Sequence, residues 1–498
     1  MKLPRAIFSL TLLLVGIASA QGQPKVFDFN EACVQAYRQL MLLRVKPALQ
    51  LLEAEKKTNP NNLAAPFIEN YADFFELFFN ENPKQYEARK AQKTVRLNLM
   101  KEGPANSPLT LFTQAVIYLQ WATIDIKFNN RWAAGWAFRD AFKLAASNQK
   151  KFPAFTPNYM ITGPMQMVAG TIPKNMQWLS NLMGIKGSVQ GGQAEFQKFL
   201  KATDPWARLF MEEGIFYQCY LQFYLQNQAE EALAFIQNQK LDVVNNHLFA
   251  YMAANLNLNS HRSYLTQQIV QQRNMGAEYL QTPVWDFEMA YARLFKLEPD
   301  AHLYFERFLS QFAGNFYVKD AWLKLGWHYL IHGQPAQYQR CMQQVLTRGQ
   351  AIAEADKRAL KEAKSKVVPH LLLLKARLLT DGGYPREALQ LLEAKSENSF
   401  DSETERLEFT YRMARIYDDL KQPEKALLYY DATILKGKTS TEYFAARACL
   451  QAGLLCENRG NKAKAVQYYQ ACINLEGHDF EDALEQRAKA GLARCQGK

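Results

Sequence analysis

Three similar helix–turn–helix segments recur near the end of the chain at an almost constant spacing. Ala388, Ala426 and Ala465 each stand a few residues after a turn, and they are 38 and 39 residues apart. Tyr430 and Tyr469 follow the second and third of these alanines by four residues. A period of this length corresponds to one pair of antiparallel helices, and such a pair cannot bury its apolar face alone. The spacing therefore predicts stacked helical hairpins, which form an all-α solenoid.

A second motif extends the same period toward the N-terminus. Trp322, Leu325, Gly326 and Tyr329 form the pattern Trp-x2-Leu-Gly-x2-Tyr, and Trp285 precedes Trp322 by 37 residues. This pattern resembles the first helix of the tetratricopeptide repeat (TPR). The resemblance implies a TPR-like α-solenoid, a right-handed superhelix of antiparallel helical hairpins, in which Trp322 packs between stacked hairpins.

The repeat pattern divides the chain into six regions that follow an N-terminal segment, 1–20. N-terminal hairpins occupy 21–82, and a basic helical region with a Gly/Pro/Met-rich insert at 156–193 occupies 83–201. Middle repeats follow at 202–346, and an inserted charged helix at 347–366. C-terminal repeats occupy 367–478, and a capping helix occupies 479–498. The inserted helix is rich in Ala, Glu, Lys and Arg, which predicts an exposed helix. Hydrophobic residues at 48% and charged residues at 21% exclude a disordered chain.

The first twenty residues have the three parts of a secretory signal peptide. Lys2 and Arg5 precede the apolar stretch Ile7–Ile17, and the cleavage pattern Ala18-Ser19-Ala20 follows it. This stretch is too short to cross a bilayer as a helix, and no later run of about 18 uninterrupted apolar residues exists in the sequence. We therefore expect an exported protein without a transmembrane segment, periplasmic in a Gram-negative bacterium or otherwise secreted. Export disfavours nucleic acid as a partner.

Positive charge is concentrated in one part of the chain. The window 83–201 contains sixteen Lys or Arg residues and five Asp or Glu residues. Such an excess attracts an acidic protein face, an anionic lipid or an acidic glycan. The alternative is a solvent-exposed helix face without a partner, and Arg89, Lys93 and Arg96 have the helical spacing of such a face.

The insert at 156–193 lies inside this basic window and contains six glycines, three prolines and five of the 14 methionines. Its pattern of Ile172-Pro173, Trp178 and Gly184 resembles the central segment of the tetratricopeptide repeat protein 39 family, which implies a binding scaffold without catalytic residues. Methionine suits irregular apolar partners. The candidate binding residues of the region are Lys174, Trp178, Lys186 and Lys198. One alternative is an apolar pocket for a glycan or a lipid, and another is a helical hairpin that fills its own core.

By resemblance to other tetratricopeptide repeat proteins, the first helices of the hairpins line a concave groove for a peptide or a partner domain. The candidate groove residues are Trp327, Leu330, Tyr411, Arg415, Leu450 and Leu454. The leading hypothesis is an exported, non-catalytic scaffold for protein–protein interaction, and the basic window favours an acidic partner. The alternative is a binding protein for a small glycan or lipid. A third hypothesis, an α/α toroid enzyme, requires longer hairpins and a pair of carboxylates.

Motifs for catalysis and for metal or phosphate binding are incomplete. His328 and His332 have the spacing of two metal ligands on one helix, but Tyr329 occupies the place of the glutamate in His-Glu-x-x-His. The glycine-rich stretch from Gly184 to Ser188 lacks the residue order of a phosphate-binding loop. We therefore predict no catalytic residue, no metal and no cofactor.

The seven cysteines are too few for a scaffold held by disulfides, and their odd number leaves at least one thiol free. Cys449 and Cys456 are seven residues apart on one predicted helix, too far for a bridge. Cys449 and Cys472 stand at similar distances on either side of the Gly460 turn, which makes them candidates for a disulfide across the hairpin. The alternative is that both are small buried packing residues.

Overall fold

The computed structural model describes residues 24–171, 184 and 186–497, and this part of the chain contains 24 α-helices. The first twelve are α1 (Glu31–Met41), α2 (Val45–Thr58), α3 (Ala64–Asn80), α4 (Pro83–Lys101), α5 (Pro108–Lys127), α6 (Arg131–Lys151), α7 (Pro157–Gly170), α8 (Val189–Leu200), α9 (Pro205–Tyr220), α10 (Ala229–Asn238), α11 (His247–Leu258) and α12 (Ser263–Gln272). The other twelve are α13 (Val284–Phe295), α14 (Ala301–Gln311), α15 (Val318–Ile331), α16 (Pro335–Thr347), α17 (Glu354–Ser365), α18 (Leu371–Gly382), α19 (Pro385–Leu392), α20 (Glu403–Asp419), α21 (Pro423–Lys436), α22 (Phe444–Asn458), α23 (Lys462–Ile473) and α24 (Glu481–Gln496). The predicted signal peptide lies outside the described residues.

Successive helices pack against each other as hairpins along the chain. Ala388, Ala426 and Ala465, which define the repeat period, are all completely buried. Within the described ranges the only extended pairing is an isolated bridge between Val26 and Asn62. The all-α, TPR-like solenoid predicted from the sequence is therefore confirmed.

Tyr469 illustrates how a hairpin joins its neighbour. Its ring is completely buried on α23, and a Cβ at Gly453 of α22 would lie 2.6 Å from that ring. A Cβ at Gly491 of α24 would also overlap the ring of Tyr469. Glycine is therefore needed on both flanking helices, because only a residue without a side chain lets α22 and α24 approach the ring this closely.

The ring that fills the space beside α15 is not the one that the motif predicted. Trp322 is only partly buried, whereas Trp327, on the same helix, is 1% exposed. The Trp327 indole donates to Glu362 Oε1 of α17 at 2.7 Å, and Arg377 of α18 lies 4.6 Å from the ring centre. Contacts from the inserted helix and the next hairpin thus bury Trp327, whereas Trp322 lies at the edge of the same hydrophobic core.

The inserted charged helix, expected at 347–366 as an exposed element, forms α17 and packs one face against α15 and α16. Ala359 and Ala363 are buried on this face, and so is Asp356. Asp356 accepts hydrogen bonds from the backbone amides of Tyr317 at 2.8 Å and Asp320 at 3.1 Å. The helix is therefore not wholly exposed, because its first turn satisfies free amides at the start of α15.

The Gly/Pro/Met-rich insert forms a tight pair of helices, α7 and α8, on either side of residues 172–183, which lie outside the described residues. A Cβ at Gly163 would lie 2.8 Å from the carbonyl oxygen of Gly192. Met160, Met165 and Met167 are buried to at least 99%. These methionines fill the core beneath the pair, so the idea that they form an adaptable binding surface is wrong for them. The hairpin that fills its own core is the interpretation that fits the described part of the insert.

The cysteines are packing residues in this structure. All seven are free, and six of them are buried. The candidate disulfide between Cys449 and Cys472 is absent, and the thiol of Cys472 instead donates to the carbonyl oxygen of Ala446 at 3.3 Å. Burial raises the pKa of both thiols to about 12. None of the described helices has the length and apolar character that crossing a membrane requires.

The last helix, α24, returns to the middle of the chain. Arg487 Nε donates to Asn227 Oδ1 at 3.0 Å, and Arg494 Nη1 donates to the carbonyl oxygen of Gln226 at 3.1 Å. Gln486 donates to the carbonyl oxygen of Thr171 at 3.1 Å. These bonds join residues that are 260 to 315 positions apart, so the C-terminal repeats curve back onto the loop between α9 and α10.

Candidate functional site

Arginine recurs on the first helices of the C-terminal hairpins. Arg377 on α18, Arg412 on α20 and Arg447 on α22 are each 35 residues apart. Because α18 contacts α20, α20 contacts α22 and α22 contacts α24, the repeat places these arginines on neighbouring helices. Three further arginines, Arg358, Arg415 and Arg487, lie close enough to this group to interact with it electrostatically. We call the full set the arginine ladder: Arg358, Arg377, Arg412, Arg415, Arg447 and Arg487.

Two tyrosines connect members of the ladder. Arg412 Nη2 donates to the hydroxyl of Tyr443 at 3.3 Å, and the guanidinium carbon of Arg358 lies 5.0 Å from the centre of the Tyr443 ring. The guanidinium carbon of Arg412 lies 5.3 Å from the ring centre of Tyr411. Arg358 and Arg412 therefore face one buried phenol, a geometry that favours cations next to aromatic faces.

Half of the ladder has a carboxylate partner. Arg377 pairs with Asp381 at 3.6 Å, Arg412 with Glu408 at 2.7 Å and Arg415 with Asp419 at 3.8 Å. In the described part of the chain, the salt bridges do not include Arg358, Arg447 or Arg487. The side chain of Arg487 bonds to the amide of Asn227, which carries no charge.

The shifted pKa values reflect the positive charge that is crowded here. Burial raises the pKa of Tyr443, but the guanidinium groups of Arg412, Arg358 and Arg377 outweigh it and lower the pKa to about 8. Burial also lowers the pKa of Arg487, and the charges of the neighbouring arginines Arg447 and Arg415 add to this decrease. An anion bound beside these arginines would raise the lowered pKa values of Tyr443 and Arg487, because it would stabilise the guanidinium charges.

The predicted groove residues divide into three pairs. Tyr411 and Arg415 belong to the ladder region, although they are only 4% and 8% exposed. Trp327 and Leu450 are buried to at least 99%, so the prediction that they line an accessible groove is wrong: α17 covers Trp327, and Leu450 lies in the core of the last hairpins. Leu330 and Leu454 are partly buried and pack against these cores.

Most of the ladder was not predicted from the sequence. Arg415 was singled out because the resemblance placed it in the groove, whereas the three arginines at 35-residue intervals were not. The recurrence itself is visible in the sequence. Arg358 lies on the inserted helix, outside the repeat period, and no periodic signal indicates its position beside Tyr443.

The basic window is less positive in the fold than its composition suggests. Arg89 and Arg96 of α4 pair with Asp73 of α3 at 3.3 and 2.5 Å. Lys127 of α5 pairs with Glu81 at 2.8 Å. The helix before the window thus supplies carboxylates that a count over 83–201 omits, and α4 uses part of its charge for packing.

The candidate residues of the basic and apolar insert are not brought together by the described structure. Lys186 is exposed. Lys198 is also exposed, and its ammonium group lies 5.0 Å from the centre of the Tyr159 ring. Lys174 and Trp178 lie outside the described residues. The binding role of this set stays a prediction.

The histidine pair at the C-terminal end of α15 lies in a packed environment. The rings of His328 and His332 have centres 4.3 Å apart, and His302 lies 5.0 Å from His328. Burial, together with the charges of His332 and His302, lowers the pKa of His328 to about 3. Among the described residues, no group of three or more His, Cys, Asp or Glu side chains is arranged to hold a metal ion.

A match to a protein-family model agrees with the repeat assignment. Residues 446–479, which include most of α22 and all of α23, match the family model described as tetratricopeptide repeat. No curated protein matches the chain in sequence. Similar solved structures include the APC/C hetero-tetramer Cut9-Hcn1, at 12% identity over 91% of this chain and 95% of that chain with a TM-score of 0.28. A monomeric IFIT1 mutant with Gppp-AAAA is similar at 12% identity over 89% of this chain and 80% of that chain, also with a TM-score of 0.28.

Proposed function

We propose that the protein is an exported, non-catalytic scaffold that binds an acidic segment of a partner protein at the arginine ladder. The observation that carries this proposal is the set of three ladder arginines that form no salt bridge among the described residues, Arg358, Arg447 and Arg487, beside Tyr443 with its lowered pKa. Partly buried cations without a salt-bridge partner are costly. Carboxylates of a partner would offset this cost and accept paired hydrogen bonds from the guanidinium groups.

The spacing of the ladder favours an extended chain over a single small anion. The three arginines that form no salt bridge in the part of the chain that the structure describes, Arg358, Arg447 and Arg487, lie on three different helices, α17, α22 and α24. A peptide with several acidic side chains can pair with more than one of these positions, and the gain in affinity grows with each contact. This arrangement supports a protein partner.

Export and the finer family assignment rest on the sequence. The charged, apolar and small-residue parts of residues 1–20 support secretion through a signal peptide, and a periplasmic or secreted location follows from it. The likeness of the central segment to the tetratricopeptide repeat protein 39 family supports a scaffold role and stays a prediction. The alternative role, binding a small ligand, is favoured by a separate cavity.

The test measures the binding of a fluorescein-labelled, glutamate-rich 12-residue peptide to the full chain by fluorescence anisotropy. The double variant Arg358→Gln/Arg447→Gln removes two unpaired ladder charges and should weaken binding by about tenfold or more, because charged contacts at a partly buried site are strong. Binding to the parent protein should weaken as salt is raised, since salt screens the attraction.

The matched control is Lys84→Gln/Lys143→Gln, which removes the same charge at exposed positions of the basic window. This control should bind the peptide as the parent protein does. Equal losses in the two variants would mean that net charge alone attracts the peptide. Either that result or an absence of peptide binding by the parent protein would refute the ladder as an acidic-segment site.

A further inference from the structure

A cavity of about 700 Å³ lies away from the ladder, where the N-terminal hairpins meet the middle repeats. Its walls come from the end of α3 and the start of α4, from the segment 271–283, and from α13 and α14. The volume is within the range of small-molecule sites, which occur preferentially where two structural units meet. The cavity therefore has the size and the location of a ligand site.

Hydrogen bonds across the junction hold the walls in place. The backbone amide of Leu280 donates to the carbonyl oxygen of Leu43 at 2.7 Å. The hydroxyl of Thr282 donates to the carbonyl oxygen of Phe79 at 3.3 Å. The side-chain amide of Asn80 donates to the backbone carbonyl oxygen of Gln281, also at 3.3 Å. A site with fixed walls loses little entropy when a ligand binds.

The lining contains many groups that can both donate and accept hydrogen bonds. Seven amide side chains contribute: Asn80, Asn82, Gln85, Gln271, Asn274, Gln281 and Gln311. Trp285 and Tyr304 add aromatic rings, and Arg307 is neutralised by Asp286 at 2.5 Å. Arg273 also lines the cavity without a salt bridge to any described residue, and its guanidinium carbon lies 4.6 Å from the centre of the Trp285 ring. A surface of amides, rings and one unpaired cation matches a ligand whose hydroxyl groups also donate and accept.

Several acceptors of the lining residues have no partner within the protein. Asn80 Oδ1, Gln85 Oε1 and His247 Nδ1 are buried without a hydrogen bond. Burial lowers the pKa of His247 to about 4, and its Nε2 contacts the carbonyl oxygen of Asn274 at 2.7 Å. That nitrogen therefore carries the proton, and Nδ1 is a free acceptor at neutral pH. Unpaired buried acceptors are costly, and small movements of these side chains would offer them to a ligand that donates.

We propose that this cavity binds a short oligosaccharide. Sugar hydroxyls supply the donors that the three acceptors lack, and they accept from the amide groups of the wall. An inorganic anion fits less well, because anions need donors, and the unpaired buried atoms of the described lining are three acceptors and one donor, Arg273 Nε. A lipid chain fits less well too, because amide and charged side chains are interspersed with the aliphatic ones along the wall. This site is independent of the ladder and goes beyond the proposed scaffold function.

The test titrates the purified full chain with maltotriose, cellotriose, chitotriose, xylotriose and tri-galacturonic acid by isothermal titration calorimetry. We expect at least one of them to bind, and the last compound separates acidic from neutral sugars. The triple variant Gln85→Ala/Gln271→Ala/Gln311→Ala should weaken that binding about tenfold, the effect of losing a few hydrogen bonds.

The matched control is Gln190→Ala/Gln343→Ala, which removes exposed amides far from the cavity lining and should bind as the parent protein does. Binding that is unchanged in the triple variant would overturn the proposal. So would the absence of heat with all five sugars at about 10 mM, a concentration that detects even millimolar dissociation constants. Neither result bears on peptide binding at the ladder, so the two proposals fail separately.

Discussion

Glu288 on α13 is a carboxyl group completely removed from solvent. One oxygen accepts a hydrogen bond from Asn255 at 3.0 Å, and the other has no partner. Burial raises the pKa of Glu288 to about 7, although the bond from Asn255 acts in the opposite direction. The folded protein therefore favours the protonated carboxyl at pH values where the unfolded chain ionises it.

The variant Glu288→Gln should remove this pH dependence. In the parent protein, the stabilisation from the protonated carboxyl is complete below about pH 4.5, the unfolded value, and is lost as the pH rises through about 7. Glutamine has no charge to bury, so the variant should equal the parent protein at low pH and exceed it by roughly 3 kcal/mol at pH 8. Thermal unfolding measured from pH 4 to 8 tests this.

The exposed residue Glu393 provides the control, because water can solvate its charge. Glu393→Gln should leave the melting temperature close to that of the parent protein across the same range. A stability difference for Glu288→Gln that does not change with pH would contradict the assignment, since only a shifted proton equilibrium makes the difference grow.

At the scale of the element, α17 and α15 depend on each other. α15 begins after Tyr317, which has a positive φ and offers no side-chain cap. Asp356 of α17 accepts the amides of Tyr317 and Asp320 instead. A residue 36 to 39 positions later in the chain thus accepts the amides that an N-cap residue normally binds within its own helix.

Replacing Asp356 by alanine should destabilise the start of α15. The change leaves two backbone donors without a partner, which costs about 1 to 3 kcal/mol. Hydrogen exchange followed by mass spectrometry should show faster exchange at residues 317–321. Glu354→Ala, an exposed position on the same turn of α17, should not accelerate it. Equal protection in the Asp356 variant and the parent protein would show that the cap contributes nothing.

At the scale of the whole molecule, the C-terminal helix α24 contacts the middle repeats. Arg487 and Arg494 of α24 bond to Asn227 and Gln226. These contacts connect the last repeats to the middle repeats, although stacking itself acts only between neighbours. The curvature of the C-terminal half therefore depends on a few polar contacts as well as on the repeat packing.

The double variant Arg487→Ala/Arg494→Ala should loosen this contact while the hairpins stay folded. Small-angle X-ray scattering should give a larger radius of gyration than that of the parent protein, and the helical circular dichroism signal should change by less than about a tenth. Arg459→Ala, which loses only an exposed pair with Glu424, is the control and should keep the parent radius. An unchanged radius in the double variant would assign the curvature to repeat packing alone.

The sequence by itself determined the repeat, because the repeat depends on contacts between residues close in the chain. Ala388, Ala426 and Ala465 are buried as their spacing predicts, and Gly453 meets Tyr469 within one hairpin. A period of 35 to 39 residues repeats these local contacts, so a single chain displays the same pattern several times.

Only the tertiary structure decided which residues face each other across distant segments. It places Arg358 beside Tyr443, pairs the basic window with carboxylates of α3, covers Trp327 with α17, and forms a cavity between Asn80 and Trp285. The repeat period indicates none of these contacts, because Arg358 and Glu362 lie on the inserted helix α17 and the cavity brings together residues of the N-terminal hairpins and the middle repeats. Burial and charge at such contacts depend on how the whole stack curves, and that curvature is the sum of many small helix-packing angles that no local motif specifies.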